Sequence, residues 1–473
     1  MSLFASSSQT RAPAPERSKT LKSVNPATGD VIFEVEAHTP EKARRRLADA
    51  AGAAHIWRDA SLDVRGRCVT ALGAGLRDKK DELAHVMALE MGKPIREGRA
   101  EIEKCAATCD YFAAHAAAFL APQMVTTEMT KSVVAFRPLG VVFAIMPWNF
   151  PFWQVVRAAV PALMAGNGFA FKHASNVPQC ALALEDLFAR AGFPDRLTPL
   201  VRVDGALASE LIADPNVAAV TLTGSTEAGK SAARAAAAVV KKCVLELGGS
   251  DAYVVLDDAD VALAADVCAR ARLLNSGQSC ICAKRFIVHR AVRDAFERAF
   301  VERMRAAVVG DPLDERTDVG PLARIDLRDG LHRAVTASIG AGARLVAGGR
   351  VPERRGAWYE PTVLVDVPRG APARDEEMFG PVAALIAVHD EREAIEVANE
   401  SRYGLAAAVF TRDVARGERI ALAGLDAGSV AVNSNVRSDP RLPFGGIKES
   451  GYGRELSAFG IHEFVNVKTI SVA

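Results

Sequence analysis

Hydrophobic and polar residues alternate with a rhythm that changes several times along this chain. Asn25 to Asp30 is a polar turn signal before Val31 to Val35, which predicts a short strand. Thr39, Pro40 and Glu41 follow in the order of a helix cap, a first-turn proline and a first-turn acid. Ala/Leu/Arg/Glu-rich segments predict helix to about residue 119, broken once at Gly92-Lys93-Pro94. Between 122 and 137 β-formers take over, in Met124 to Thr127 and Ser132 to Phe136, predicting a protruding hairpin.

From Val141 onward the pattern is strand–helix alternation. Val141 to Met146, Phe169 to Lys172, Leu197 to Arg202, Val217 to Leu222 and Lys242 to Glu246 predict strands. Helices are predicted over Pro151 to Ala165, over Pro178 to Ala191 and after Gly224. Units of this length predict a parallel, doubly wound α/β sheet. A second α/β region runs from about 249 to 440, with strands at Ala252 to Leu256 and Lys284 to Val288, and Glu463 to Val472 alternates as a terminal strand.

A chain of 473 residues is long enough for two or three domains. With 58 basic against 57 acidic residues, it gives no case for a nucleic-acid or membrane-surface partner. Its apolar runs are too short to span a bilayer. Eight scattered cysteines form neither a zinc-ligand pattern nor a secreted disulfide scaffold, which suits a reducing cytoplasm. Arg11, Arg17 and Lys19 hint at a mitochondrial transit peptide, but Pro13, Pro15 and Glu16 oppose an amphipathic helix. A disordered leader over 1–20 is the expectation.

The candidate chemistry centres on Cys280, in Asn275-Ser276-Gly277-Gln278-Ser279-Cys280, and on Glu246, in Glu246-Leu247-Gly248-Gly249. A single cysteine is ordinarily inert core, yet this one sits in a polar, glycine-containing segment. A thiolate that attacks a carbonyl and a carboxylate that later activates water are the parts needed to turn an aldehyde into an acid. Together with Pro147-Trp148-Asn149-Phe150-Pro151 and Glu376-Glu377-Met378-Phe379-Gly380-Pro381, these segments resemble the NAD(P)-dependent aldehyde dehydrogenase superfamily. Glu246 lies 34 residues before Cys280 and Glu377 lies 97 after it, in agreement with that family.

The resemblance implies that Cys280 is the nucleophile and that Glu246 is the base for thioester hydrolysis. Asn149, with a backbone N–H, would stabilise the oxyanion. Glu377 would bind the nicotinamide ribose, with Phe379 and Trp148 beside the cofactor. Gly224 and Ser225 would meet its pyrophosphate at a helix N-terminus. Lys172-His173-Ala174-Ser175 resembles the family's adenosine-ribose segment, with Lys172 reaching the ribose and His173 structural. Ser175 stands where strict NAD enzymes carry a glutamate. A carboxylate there repels a 2′-phosphate whereas a serine donates to it, so NADP is expected to be accepted, with NAD or NADP preference open. No metal is expected.

Trp153 and Arg157, four apart on one helix, share a face that would line the aldehyde tunnel. Arginine at that position resembles the succinate-semialdehyde dehydrogenase group, where its fork binds a distal carboxylate. Some members carry a second arginine where this chain has Leu274. Arg437, Ser438 or Arg441 are the candidates to compensate, and Phe444 is a candidate apolar wall. Cys282 is either a spectator or a disulfide partner that blocks Cys280 under oxidation.

The expected architecture is a Rossmann-like cofactor-binding domain (21–121 and 139–248), an α/β catalytic domain (249–443) and an oligomerisation element (122–138 and 459–473). The hairpin is expected to pair with C-terminal strands of neighbours in a homodimer or homotetramer. The expected activity is oxidation of succinate semialdehyde or a similar short carboxylate-bearing aldehyde. A broad-specificity aldehyde dehydrogenase and a catalytically silent binding or structural protein are the alternatives.

Overall fold

The computed structural model describes residues 20–473, so most of the leader expected over 1–20 lies outside the described residues. Thr20 is not part of a leader: it opens the strand Thr20–Val24, which pairs antiparallel with Val31–Glu36.

Local signals set the helical region. The Thr39 hydroxyl accepts from the Lys42 N–H at 3.2 Å and starts the helix Pro40–Trp57. Ser61 caps Leu62–Asp78 in the same way. Gly92, with φ +75°, ends Lys80–Met91 before the long helix Ile95–Phe119. These helices also supply caps to distant ones. Glu90 accepts from the N–H groups of Gln179 and Cys180, each at 2.9 Å, at the start of Pro178–Arg190. Glu101 accepts from Phe152 and Trp153, each at 2.9 Å, at the start of Trp153–Met164. That second helix is buried on every side, which explains its nearly unbroken apolar sequence.

One sheet has the strand order Gly451–Tyr452, Lys242–Glu246, Val217–Thr223, Val141–Ile145, Gly168–Lys172. All neighbours in it are parallel except the short first strand. The segment Leu197 to Arg202, expected as a further strand, runs beside Gly168–Lys172 but forms only an isolated bridge between Phe171 and Leu200. Its Pro199 has no N–H to donate, so the ladder cannot continue.

A second sheet has seven strands, in the order Arg344–Ala347, Thr362–Val365, Val382–Val388, Ala283–His289, Asp251–Val255, Ala406–Phe410, Ser429–Val432. Only the first pair is antiparallel. The fold is therefore α/β with two mainly parallel sheets.

The hairpin strands Gln123–Val125 and Lys131–Pro138 join Val465–Val472 in a third, antiparallel sheet. Within one chain the hairpin therefore already pairs with the chain's own C-terminal strand. The terminal strand begins later than expected, because Ser457–Glu463 is a short helix. Among the described residues, no helix is long and apolar enough to cross a membrane.

Candidate functional site

Cys280 follows a turn, Leu274–Gly277, that links the helix Val261–Leu273 to the strand Ala283–His289. Asn275, Ser276 and Gly277 have φ of +52°, +56° and +77°. Such left-handed conformations cost non-glycine residues roughly 1–2 kcal/mol each. Gly277 is required here, because a Cβ would run into the backbone of Gly380. Side chains hold the turn. Asn275 Nδ2 donates to the carbonyls of Asn149 (2.8 Å) and Gln278 (3.1 Å), and Asn149 Nδ2 also donates to Gln278 (3.1 Å). The fully buried Lys284 ammonium donates to the carbonyls of Ser279 (3.0 Å), Cys280 (2.7 Å) and Cys282 (3.2 Å).

Cys280 is half-buried on the wall of a cavity of about 550 Å³, together with Trp153, Arg157, Leu274, Arg437, Ser438 and Phe444. Every residue expected at the aldehyde tunnel, Arg441 apart, is therefore on one wall with the thiol. Burial pushes the thiol pKa up to about 12, while Arg157 and Lys284 act in the opposite sense. Cys282 is fully buried, and its thiol donates to the Leu274 carbonyl at 3.3 Å. A bond to Cys280 would require it to leave that position.

Arg157 differs from its expected state. Its Nε contacts the Glu455 carboxylate in a buried ion pair. One terminal nitrogen reaches the Thr223 hydroxyl at 3.4 Å, and the guanidinium lies 4.9 Å from the Phe444 ring centre. Its charge is thus already met inside the protein. Arg441 is exposed and grips Asp439 at 2.8 and 2.6 Å, so it does not compensate for Leu274. Arg437 is exposed at the cavity, whereas Ser438 is buried and bonded to Lys104 at 2.6 Å.

Glu246 ends its strand behind the cavity wall rather than on it. Both carboxyl oxygens are buried without a hydrogen-bond partner among the described residues. Burial, and then the neighbouring Glu455, raise its pKa well above the usual carboxylate range. Arg157 acts electrostatically on both Glu246 and Cys280, which ties the two groups to one cation.

A second group of expected residues gathers beyond the turn after Glu246. Glu377 Oε1 accepts from the Gly249 N–H at 3.0 Å and lies 3.5 Å from Lys284 Nζ. Its carboxylate packs so close to Gly248 that a Cβ there would collide with it. Trp148 and Phe379 meet edge to face, with centres 5.7 Å apart. Lys172 ends the strand Gly168–Lys172, where burial lowers its pKa. His173 is buried, bonds to the Pro151 carbonyl and the Ala174 N–H at 2.8 Å each, and is pushed down to about 4 by burial. Ser175 is exposed beside a cavity of about 850 Å³ that also meets Val203 and Leu207. Gly224 and the exposed Ser225 open the helix Thr226–Ala238, Ser225 accepting from Ala228 at 3.3 Å. An accessible helix N-terminus, a lysine, a serine and a pinned carboxylate form a donor set that suits a dinucleotide.

Sequence reasoning did not single out Lys104, Lys284, Glu101 or Glu455. Glu455 had a local signal in Gly451-Tyr452-Gly453-Arg454-Glu455, a glycine-marked turn of the same kind as that after Glu246. The other three sit in ordinary helix and strand patterns.

The sequence model of the aldehyde dehydrogenase family matches residues 14–470. The chain is 46% identical to the probable succinate-semialdehyde dehydrogenase [NADP(+)] of Synechocystis sp., covering 96% of this chain and 100% of that one. It is 44% identical to the succinate semialdehyde dehydrogenase [NAD(P)+] Sad of Escherichia coli, covering 95% and 97%. Among solved structures, the succinic semialdehyde dehydrogenase of Streptococcus pyogenes in complex with NADP+ superposes with a TM-score of 0.93 at 35% identity, covering 96% and 99%.

Proposed function

This chain belongs to the aldehyde dehydrogenase family, and from that premise we propose that it oxidises succinate semialdehyde, or a similarly short ω-carboxy aldehyde, to the acid with NADP or NAD. The observation that carries the reading is the half-buried Cys280 on a cavity whose walls hold several cations and few free acids. The Cys280 sulfur attacks the aldehyde carbon, and the thiol proton leaves to a base. Asn149 Nδ2 has two hydrogens and spends one on Gln278, so the other is available to the oxygen of the tetrahedral adduct. NAD(P), when bound, supplies the hydride acceptor that converts this adduct to a thioester on Cys280. Glu246, once deprotonated, draws a proton from water, and the water oxygen attacks the thioester carbon and displaces the thiolate. Lys172 and Ser175 would hold the adenosine ribose, Gly224 and Ser225 the pyrophosphate, and Glu377 the nicotinamide ribose, with Trp148 and Phe379 beside the cofactor.

We assign 21–121 and 139–248 to cofactor binding, 249–443 to catalysis, and 122–138 with 459–473 to assembly as a homodimer or homotetramer. Eight cysteines, all free, support a reducing cytoplasm as the site of action.

The Arg157–Glu455 pair favours a second reading, a broader aldehyde dehydrogenase in which Arg157 does not bind substrate. A steady-state panel of succinate semialdehyde, butyraldehyde and benzaldehyde, with NAD and NADP in turn, separates the two. The first reading expects kcat/KM for succinate semialdehyde to exceed that for butyraldehyde at least about tenfold, as expected for one charge-assisted contact. Equal values would leave the second.

A further inference from the structure

We propose that Lys104, acting with Ser438, is the specificity-determining group that grips the distal carboxylate of the substrate. This rests on the reading of the site as one for an ω-carboxy aldehyde, and it transfers the recognition role expected of Arg157 to a lysine on a different element.

The argument begins with the cations on the cavity wall: Lys104, Arg157, Arg270 and Arg437. Arg157 is held by Glu455. Arg270 is 71% exposed and paired with Asp266 at 2.6 Å. Arg437 is exposed and faces water. Lys104 is half-buried on the helix Ile95–Phe119, and among the described residues no carboxylate lies within ion-pair distance of it.

Its acidic neighbours are already engaged. Glu101 is in contact with Lys93 and accepts two backbone N–H groups at the start of Trp153–Met164. Asp439 is gripped by Arg441 through two bonds. What Lys104 does have is a hydrogen bond to Ser438 Oγ at 2.6 Å and the face of Trp153, whose ring centre is 4.1 Å away. An ammonium has three hydrogens, so this leaves donors for a ligand. Ser438 Oγ accepts from Lys104, and its own hydroxyl hydrogen remains to donate. The pair thus offers a carboxylate two different donors from two elements.

Burial, and then the nearby Arg157, lower the Lys104 pKa to about 8. A partly desolvated cation beside another cation gains more from an arriving anion than an exposed one does. Trp153 restricts where the ammonium stands, and it offers the intervening methylenes of a short aldehyde an apolar surface.

The test uses the purified full chain, with succinate semialdehyde and butyraldehyde as substrates for wild type, Lys104→Met, Lys104→Arg and Ser438→Ala. Loss of one charge-assisted contact predicts that Lys104→Met raises KM for succinate semialdehyde about 10- to 100-fold with a smaller change in kcat. The selectivity ratio between the two aldehydes falls accordingly, and Lys104→Arg restores part of it. Succinate, tested as a competitive inhibitor against butyraldehyde, gives a readout independent of succinate-semialdehyde turnover: wild type is inhibited and Lys104→Met is not. If Lys104→Met fails to fold, Lys104→Arg and Ser438→Ala carry the same comparison, with a smaller loss of the selectivity ratio expected. An equal fall for both aldehydes, or unchanged succinate inhibition, overturns the proposal for Lys104 alone. A wild type that neither prefers succinate semialdehyde nor is inhibited by succinate overturns it together with the substrate reading.

Discussion

Glu246 and Glu455 are buried carboxyl groups, Glu455 raises the proton affinity of Glu246, and one arginine acts on both. Arg157 touches Glu455 directly, and its charge opposes the rise that burial imposes on both carboxyl groups. The sign follows from the causes: burial and a neighbouring anion both disfavour a second negative charge, and the Glu246 pKa rises. Thioester hydrolysis is therefore expected to accelerate with pH, through an apparent pKa well above the usual carboxylate range. Glu455→Gln removes the neighbouring anion and leaves Arg157 to act on Glu246 alone, which moves that limb of the pH–rate profile to lower pH. Rapid-mixing measurement of NAD(P)H release followed by steady turnover isolates the hydrolytic step. A limb that stays in place in Glu455→Gln would refute the coupling.

The nucleophile turn shows what an element adds to its residues. Asn275, left-handed like Ser276, donates its N–H to Glu97 and its side-chain amide to the carbonyls of Asn149 and Gln278, while Ser276 Oγ accepts from the Gly320 N–H. The glycine and the cysteine marked this stretch in the sequence as a turn with chemistry, and the helix caps at Thr39 and Ser61 were equally legible because their signals are local. The left-handed pair was not, since long-range bonds impose it. Leu197 to Arg202 misled for the converse reason: its apolar pattern suits a strand, and Pro199 decides otherwise. Lys284 read as a strand residue, yet its ammonium ties three carbonyls of the turn to the strand Ala283–His289 and to Glu377. Lys284→Met would leave these buried carbonyls without a charged donor, at about 2–4 kcal/mol. The expected outcome is a lower thermal midpoint and a reduced kcat. A variant with wild-type stability in a thermal melt would show that the turn stands without the lysine.

At the scale of the molecule, the strand Val465–Val472 closes the third sheet on one side and, among the described residues, has no strand on its other side. It carries Val467, Ile470 and Val472 at 58%, 44% and 46% exposure, and the hairpin adds Met124 and Val125 at 67% and 47%. An eight-residue edge strand with open backbone donors and exposed apolar side chains invites pairing, and isolated soluble chains usually blunt such edges with charge, proline or a bulge. Lys468 is the only charged side chain along it. The sequence made the hairpin and the terminal strand visible as β-formers, but not that they pair within one chain, because strand partners are chosen across the fold. That pairing uses one edge of the strand, and the open edge is the predicted contact with a second copy of the chain. Val467→Lys with Ile470→Lys places two charges at exposed positions, where they should cost the protomer's fold little. Sedimentation velocity is expected to show a multimer for wild type and a smaller species for the double variant. If wild type sediments as a monomer, or the variant keeps the full assembly, this edge is not the interface.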